Sequence, residues 1–233
     1  IRKIIITTIT VSLLAGGGGS NIVGYADGVG SSSQFFNPSG VSISPDMTYA
    51  LISDTNNNGV RKILISTLQV SLIAGSPSAT SGTANGIGSN ALFYSPLGIA
   101  ISPDGSYALV GDYGNNQVRQ IILATAQVSV FVGSSQGNAN GVGSNAQFYG
   151  PSGFTISFDG SFALVNDRWN NQMRKIQILT PPTSTPTFFP TSSPTFNPSS
   201  FSVSLFAGST TSGTANGIGS NAQFYKPIGI ELS

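Results

Sequence analysis

The sequence predicts an all-β fold, a β-propeller built of four-stranded antiparallel blades, with about 3.5 blades present and the chain starting and ending mid-blade. Two observations predict it. The segment Val11-Ser12-Leu13-Leu14-Ala15-Gly16 returns at Val70–Gly75, Val128–Gly133 and Val203–Gly208, at intervals of 59, 58 and then 75 residues. A period of this size marks a repeat architecture, in which each unit completes its core only against its neighbours. Between these segments, short apolar alternations are separated by Gly, Pro, Asn and Asp, which is the pattern of strands and turns.

Each unit has four phases. The first is a glycine loop ending in two aromatics: Asp27-Gly28-Val29-Gly30 with Phe35-Phe36, then Asn85-Gly86-Ile87-Gly88 with Phe93-Tyr94, Asn140-Gly141-Val142-Gly143 with Phe148-Tyr149, and Asn216-Gly217-Ile218-Gly219 with Phe224-Tyr225. Asn-Gly and Asp-Gly favour tight turns, and the aromatics read as apolar plugs between units. The second is Pro-x-Gly and a strand, beginning at Pro38, Pro96, Pro151 and Pro227. The third is a turn containing Asp46, Asp104 or Asp159, followed by a strand over 49–52, 107–110 or 162–165. The fourth is an aspartate, an Asn-rich turn and an arginine seven residues on: Asp54 and Arg61, Asp112 and Arg119, Asp167 and Arg174. Asn tolerates left-handed backbone, so this is hairpin chemistry. The arginine opens a third strand, and the Val-Ser-Leu segment is the fourth.

Pro96-Leu97-Gly98-Ile99-Ala100, Asp104-Gly105, Asp112 and Asn115-Asn116-Gln117-Val118-Arg119 together resemble the NHL repeat, and the longer unit is similar to NHL repeats of secreted and surface proteins. The resemblance covers most of the chain. It implies a propeller of about six blades.

Residues 181–200 break the period with four tandem Thr-x-x-Pro tetrads. Proline at every fourth position favours polyproline II, and twenty such residues span roughly 60 Å. Ser/Thr-rich segments with Pro read as O-glycosylated stalks, with Thr183, Ser184, Thr185, Thr187, Thr191, Ser192, Ser193 and Thr195 as acceptors. The alternative is an unmodified flexible linker. Phe188, Phe189 and Phe196 are candidate docking aromatics. The break falls between the third and fourth strands of a unit. The expected division is therefore residues 1–180 as propeller blades, 181–200 as linker and 201–233 as the start of a further blade or the next propeller. The rival is a long insertion inside one blade, in which Val203–Ala207 pairs with the strand after Arg174.

Composition narrows the chemistry. The chain has no His and no Cys, and net charge is +1. Imidazole triads and zinc, haem or thiol sites in their usual forms are excluded. Charged residues are 7%, against roughly 25% in an ordinary domain. Seven of the eight acids and seven of the nine bases occupy repeat columns, leaving Glu231, Arg168 and Lys226 outside them. A residue needed in every unit is most simply structural, so the Asp–Arg pairs are expected to bridge their hairpin or adjacent blades. No catalytic, cofactor or metal residue is predicted: each glycine loop offers at most one carboxylate, too few for calcium, and Gly-x-Gly lacks the dinucleotide or phosphate-loop context. Trp169, the only Trp, is either a contact aromatic for carbohydrate or protein or a plug between blades. The expected function is a non-enzymatic extracellular or cell-surface structural protein, a building block of a fibre, coat or appendage. Its expected partners are proteins (its own copies or other subunits) and linker glycans, with no nucleic acid and no membrane insertion. The alternative is a propeller module that binds carbohydrate or peptide.

Overall fold

The structure is a computed structural model that describes residues 1–17, 22–178 and 201–230. A hairpin of β1 (Arg2–Ile5) and β2 (Thr10–Leu13) opens the chain. Three antiparallel sheets follow. Blade 1 contains β3 (Gly28–Val29), β4 (Pro38–Ile43), β5 (Tyr49–Asp54), β6 (Gly59–Leu64) and β7 (Gln69–Gly75). Blade 2 contains β8 (Gly86–Ile87), β9 (Pro96–Ile101), β10 (Tyr107–Asp112), β11 (Gln117–Ile122) and β12 (Gln127–Val132). Blade 3 contains β13 (Gly141–Val142), β14 (Pro151–Ile156), β15 (Phe162–Asp167), β16 (Gln172–Gln177) and β17 (Ser202–Gly208). These are propeller blades, each with strand order β3-β7-β6-β5-β4 or its equivalent.

The fifth strand of each blade comes from the glycine loop. Gly28 and Val29 pair with Val70 and Gln69, so the loop that enters a blade first runs along that blade's outer edge and only then reaches the inner strand. Blades 2 and 3 repeat this with Gly86–Val128 and Gly141–Val203. The crossover caps an edge that would otherwise present unpaired backbone groups.

The expected boundary at residue 201 is overturned. Strand β17 pairs with β16 in antiparallel register from Gln172↔Gly208 to Gln177↔Ser202. It completes blade 3 and does not open another ring. The Thr/Pro segment is thus inserted inside one blade, between its third and fourth strands. Residues 209–230 carry the next glycine loop. The candidate acceptors from Thr183 to Thr195, and Phe188, Phe189 and Phe196, lie outside the described residues.

Packing between blades explains the repeated small and aromatic residues. One core joins blades 1 and 2 through Leu51, Val60, Phe93, Ile99, Ile121 and Val128. Another joins blades 2 and 3 through Leu109, Phe131, Phe148, Phe154, Val165 and Phe201. The first aromatic of each pair, Phe35, Phe93 or Phe148, is buried, whereas the second is exposed: Phe36, Tyr94, Tyr149 and Tyr225. Three of the eight expected plugs are therefore buried, and Phe224 is half-buried. Inner strands approach so closely that a Cβ on Gly98 would overlap the Ser152 carbonyl oxygen, which fixes glycine in the Pro-x-Gly motif. Each blade depends on its neighbour: Ile99 is 5% exposed against blade 1, while Val41, at the same column of blade 1, is 59% exposed.

Candidate functional site

The repeated charges form one network, built three times. Asp112 ends β10 and Arg119 lies in β11, so the hairpin brings Arg119 Nη1 within 2.9 Å of Asp112 Oδ2. Asp112 also accepts from the Tyr94 backbone N–H (2.7 Å) and from Asn115 Nδ2 (2.9 Å). Arg119 donates in addition to the carbonyls of Leu92 (3.0 Å) and Ala84 (3.1 Å) and to Asn85 Oδ1 (2.8 Å). The guanidinium thereby ties the hairpin to the crossover loop, and its face lies over Phe93. Arg61 with Asp54 and Arg174 with Asp167 repeat the arrangement. In blade 1 the loop residue is Asp27, whose Oδ1 takes the Arg61 Nη2 proton at 2.6 Å.

All three arginines and Asp54, Asp112 and Asp167 are buried. Desolvation by burial pushes Asp167 up to about 6, against the lowering pull of Asn170, the Tyr149 N–H and Arg174. Asp54 and Asp112 move the same way for the same leading reason. The Nη donors and both carboxylate oxygens of each pair are engaged, while the Nε–H of each arginine is buried and has no partner among the described residues; such a pair is suited to holding a loop and is closed to a ligand.

The two asparagines of each hairpin divide the remaining work. Asn57, Asn115 and Asn170 donate to the carbonyls of Gly24, Gly82 and Gly137 in the incoming loop of their own blade. Asn58, Asn116 and Asn171 are left-handed, and their Oδ1 atoms accept the backbone N–H of Ser95, Gly150 and Lys226 in the following unit. The turn aspartates are local clamps. Asp46 accepts from Ser44 and Thr48, Asp104 from Ser102 and Ser106, and Asp159 from Ser157 and Ser161. Hydrogen bonds from the Ser161 N–H, Ser157 and Ser161 hold Asp159 at about 2.

What remains after this accounting is concentrated in one place. The hairpin columns that vary between blades read Thr55-Asn56, Tyr113-Gly114 and Arg168-Trp169, and the column after the paired aromatics reads Asn37, Ser95, Gly150 and Lys226. These columns meet across blade boundaries. Trp169 Nε1 donates to Tyr113 Oη at 2.5 Å, and its ring centre lies 6.0 Å from that of Tyr149. The Lys226 ammonium is 4.4 Å from the Trp169 ring centre and 5.2 Å from that of Tyr225. The Arg168 guanidinium is 5.5 Å from Trp169 and 6.0 Å from Tyr113. Arg168 Nε is shielded from water and has no hydrogen-bond partner among the described residues. Gly150, with φ of 71°, leaves room where a Cβ would strike both Trp169 and Tyr113.

Trp169 is therefore not a plug inside the inter-blade core. It is 37% exposed, beside Tyr225 at 67%. Arg168 also borders a cavity of about 350 Å³ between the inner strands, lined by Gly40, Gly98, Gly153 and Ile228. Among the described residues no three acids gather as a metal site, and no helix is long and apolar enough to cross a membrane.

Among solved structures, the chain is similar to a structural genomics protein of unknown function from Bacteroides thetaiotaomicron (TM-score 0.57, 20% identity, covering 82% of this chain and 41% of that one). It is also similar to auxiliary nutrient binding proteins from Bacteroides thetaiotaomicron (TM-score 0.57, 17% identity, 84% and 42% covered) and Bacteroides ovatus (0.56, 16% identity, 85% and 44%). These likenesses concern the fold, and the chain spans less than half of each. Protein SUPPRESSOR OF QUENCHING 1, chloroplastic, of Arabidopsis thaliana is 29% identical over 151 residues, covering 62% of this chain and 14% of that protein, so the chain spans a small part of that relative. No family model matches the chain. Blades, register and fold likeness together define a repeat protein of the β-propeller type.

Proposed function

We propose that the chain is an NHL-type, non-enzymatic interaction module that acts outside the cell as a building block of a surface assembly. The observation that carries this reading is the burial of all three Asp–Arg pairs, with every acceptor and most donors satisfied inside the blade. The repeated ionisable groups that a catalyst would draw on are committed to holding crossover loops. The Thr/Pro insertion supports an O-glycosylated stalk on blade 3. Secretion of the native protein with glycan mass on 181–200 is the expected result. An unmodified mass for that segment, or retention inside the cell, would overturn the extracellular part.

A second reading, a ligand-binding propeller, is favoured by one observation. The residues that the repeat does not require, Arg168, Trp169 and Lys226, converge with Tyr113 on one exposed face. Loss of ligand capture on substitution of these residues, with folding intact, distinguishes it from a purely structural role.

A further inference from the structure

We infer that the cluster of Tyr113, Tyr149, Arg168, Trp169, Tyr225 and Lys226 is a binding site for an acidic saccharide, whose carboxylate or sulfate lies between Arg168 and Lys226 and whose ring lies on the exposed aromatics. This deepens the ligand-binding reading and rests on it.

Three observations point the same way. Arg168 and Lys226 are the two bases outside the repeat columns, and both lie against the same indole. Neither forms an ion pair among the described residues, whose salt bridges all belong to the buried network. With no carboxylate beside either cation among the described residues, both are open to an incoming anion.

The second observation is the residue type at position 226. Lys226 has φ of 47°, in a column that is left-handed in every unit, with Asn37 at 56°, Ser95 at 51° and Gly150 at 71°. The left-handed turn is thus the scaffold's, and what is particular to this unit is a long cationic side chain where Asn, Ser or Gly stands in the others. The third is placement: Tyr113, Arg168, Trp169 and Lys226 come from the variable columns of three successive units, on an otherwise repeated scaffold, which is how binding surfaces are set on rigid folds.

The chemistry of the surround selects the ligand. Tyr149, Trp169 and Tyr225 offer ring surface to the apolar face of a pyranose. The Tyr113 hydroxyl, which accepts from Trp169, keeps its proton to donate. Two cations are few for nucleic acid, whose affinity comes from neutralising many phosphates.

The test is a calorimetric titration of the protein with a galacturonate oligosaccharide, its fully methyl-esterified counterpart, a heparin-derived hexasaccharide, sodium sulfate and an acidic peptide. One or both acidic saccharides are expected to bind, and the binder identifies the group as carboxylate or sulfate. K226N and W169A are each expected to weaken binding about tenfold or more, the loss of a charge-assisted contact. K226N restores the residue type of blade 1, so it should fold at least as well as the natural chain. The esterified oligosaccharide should bind about tenfold more weakly. Equal binding of the ester, or equal binding of sulfate or the peptide, would overturn the assignment to an acidic saccharide while leaving a binding module. Saccharide binding unchanged in both variants would overturn the site. Failure of every probe to bind would overturn both.

Discussion

Replacing Arg119 by methionine keeps most of the side-chain volume and removes the guanidinium. Four acceptors lose a donor: Asp112 Oδ2, which keeps Asn115; the Ala84 carbonyl, which keeps the Leu92 N–H; the Leu92 carbonyl; and Asn85 Oδ1. Asp112 keeps only the Tyr94 N–H and Asn115, and must either stay buried as an unpaired anion or take up a proton. Breaking such a pair from one side costs about 3–5 kcal/mol. For a chain of this size that corresponds to a fall in Tm of roughly 6–20 °C. Asp112→Ala should cost a similar amount, leaving a buried cation. The double variant Asp112→Asn/Arg119→Met removes both charges and should lose less than Arg119→Met alone, with about 1–3 kcal/mol remaining for the Leu92 carbonyl and Asn85 Oδ1. Urea unfolding at pH 7, followed by tryptophan fluorescence from Trp169 in blade 3 and by far-ultraviolet circular dichroism, measures all three. A loss below about 1 kcal/mol in Arg119→Met would refute the scaffold role, since it would mean the pair behaves as an exposed one.

Other perturbations separate the remaining contributions. Gly98→Ala drives a methyl into the Ser152 carbonyl and should destabilise by about 3 kcal/mol or more in the same urea assay, as an overpacked backbone contact does. Met47 occupies the turn column filled by Gly105 and Gly160 in the other blades, with φ of 58° and its side chain exposed; Met47→Gly should therefore raise stability by up to about 1 kcal/mol. The pH profile of Tm should peak at about pH 4, the unfolded carboxylate value, and fall from there toward pH 6. Asp167 titrates at about 6 when folded, above its unfolded value, so its stabilising protonation is complete below the unfolded pKa and is lost as pH rises through 6. Asp159, at about 2, has the opposite sign: its contribution is present above the unfolded pKa and is lost as pH falls toward 2. A Tm that rises steadily from pH 4 to 8 would contradict this.

The blade could be read from the sequence because repetition exposes it: strand, turn and charge columns recur with their spacing intact. The fifth strand could not, since Gly86 and Ile87 carry no strand pattern, and their partners Val128 and Gln127 lie some forty residues on. The misplaced boundary at 201 has a similar cause. A Thr/Pro segment reads as a linker between domains, and only the register of β16 with β17 shows that the chain returns to the same sheet. The candidate site was half legible. Subtracting the repeat columns isolates Arg168, Trp169 and Lys226 as residues, but their convergence arises from the side-by-side stacking of blades, which brings position 113 against 169 and 169 against 226. The exposed second aromatic of each pair was missed because Phe-Phe and Phe-Tyr look equally apolar, whereas only the first ring faces the neighbouring blade.

The central claim is that each arginine locks the crossover loop of its own blade. Native-state hydrogen exchange compared between the natural chain and Arg119→Met tests it most directly. The natural chain should protect the Gly88 and Leu92 amides, which bond to the Ala126 and Ala84 carbonyls, nearly as well as the amides of β11. In the variant, protection should fall first over residues 82–92 and persist over residues 137–147, whose arginine is Arg174. Uniform loss across both loops, or unchanged protection over 82–92, would contradict the account.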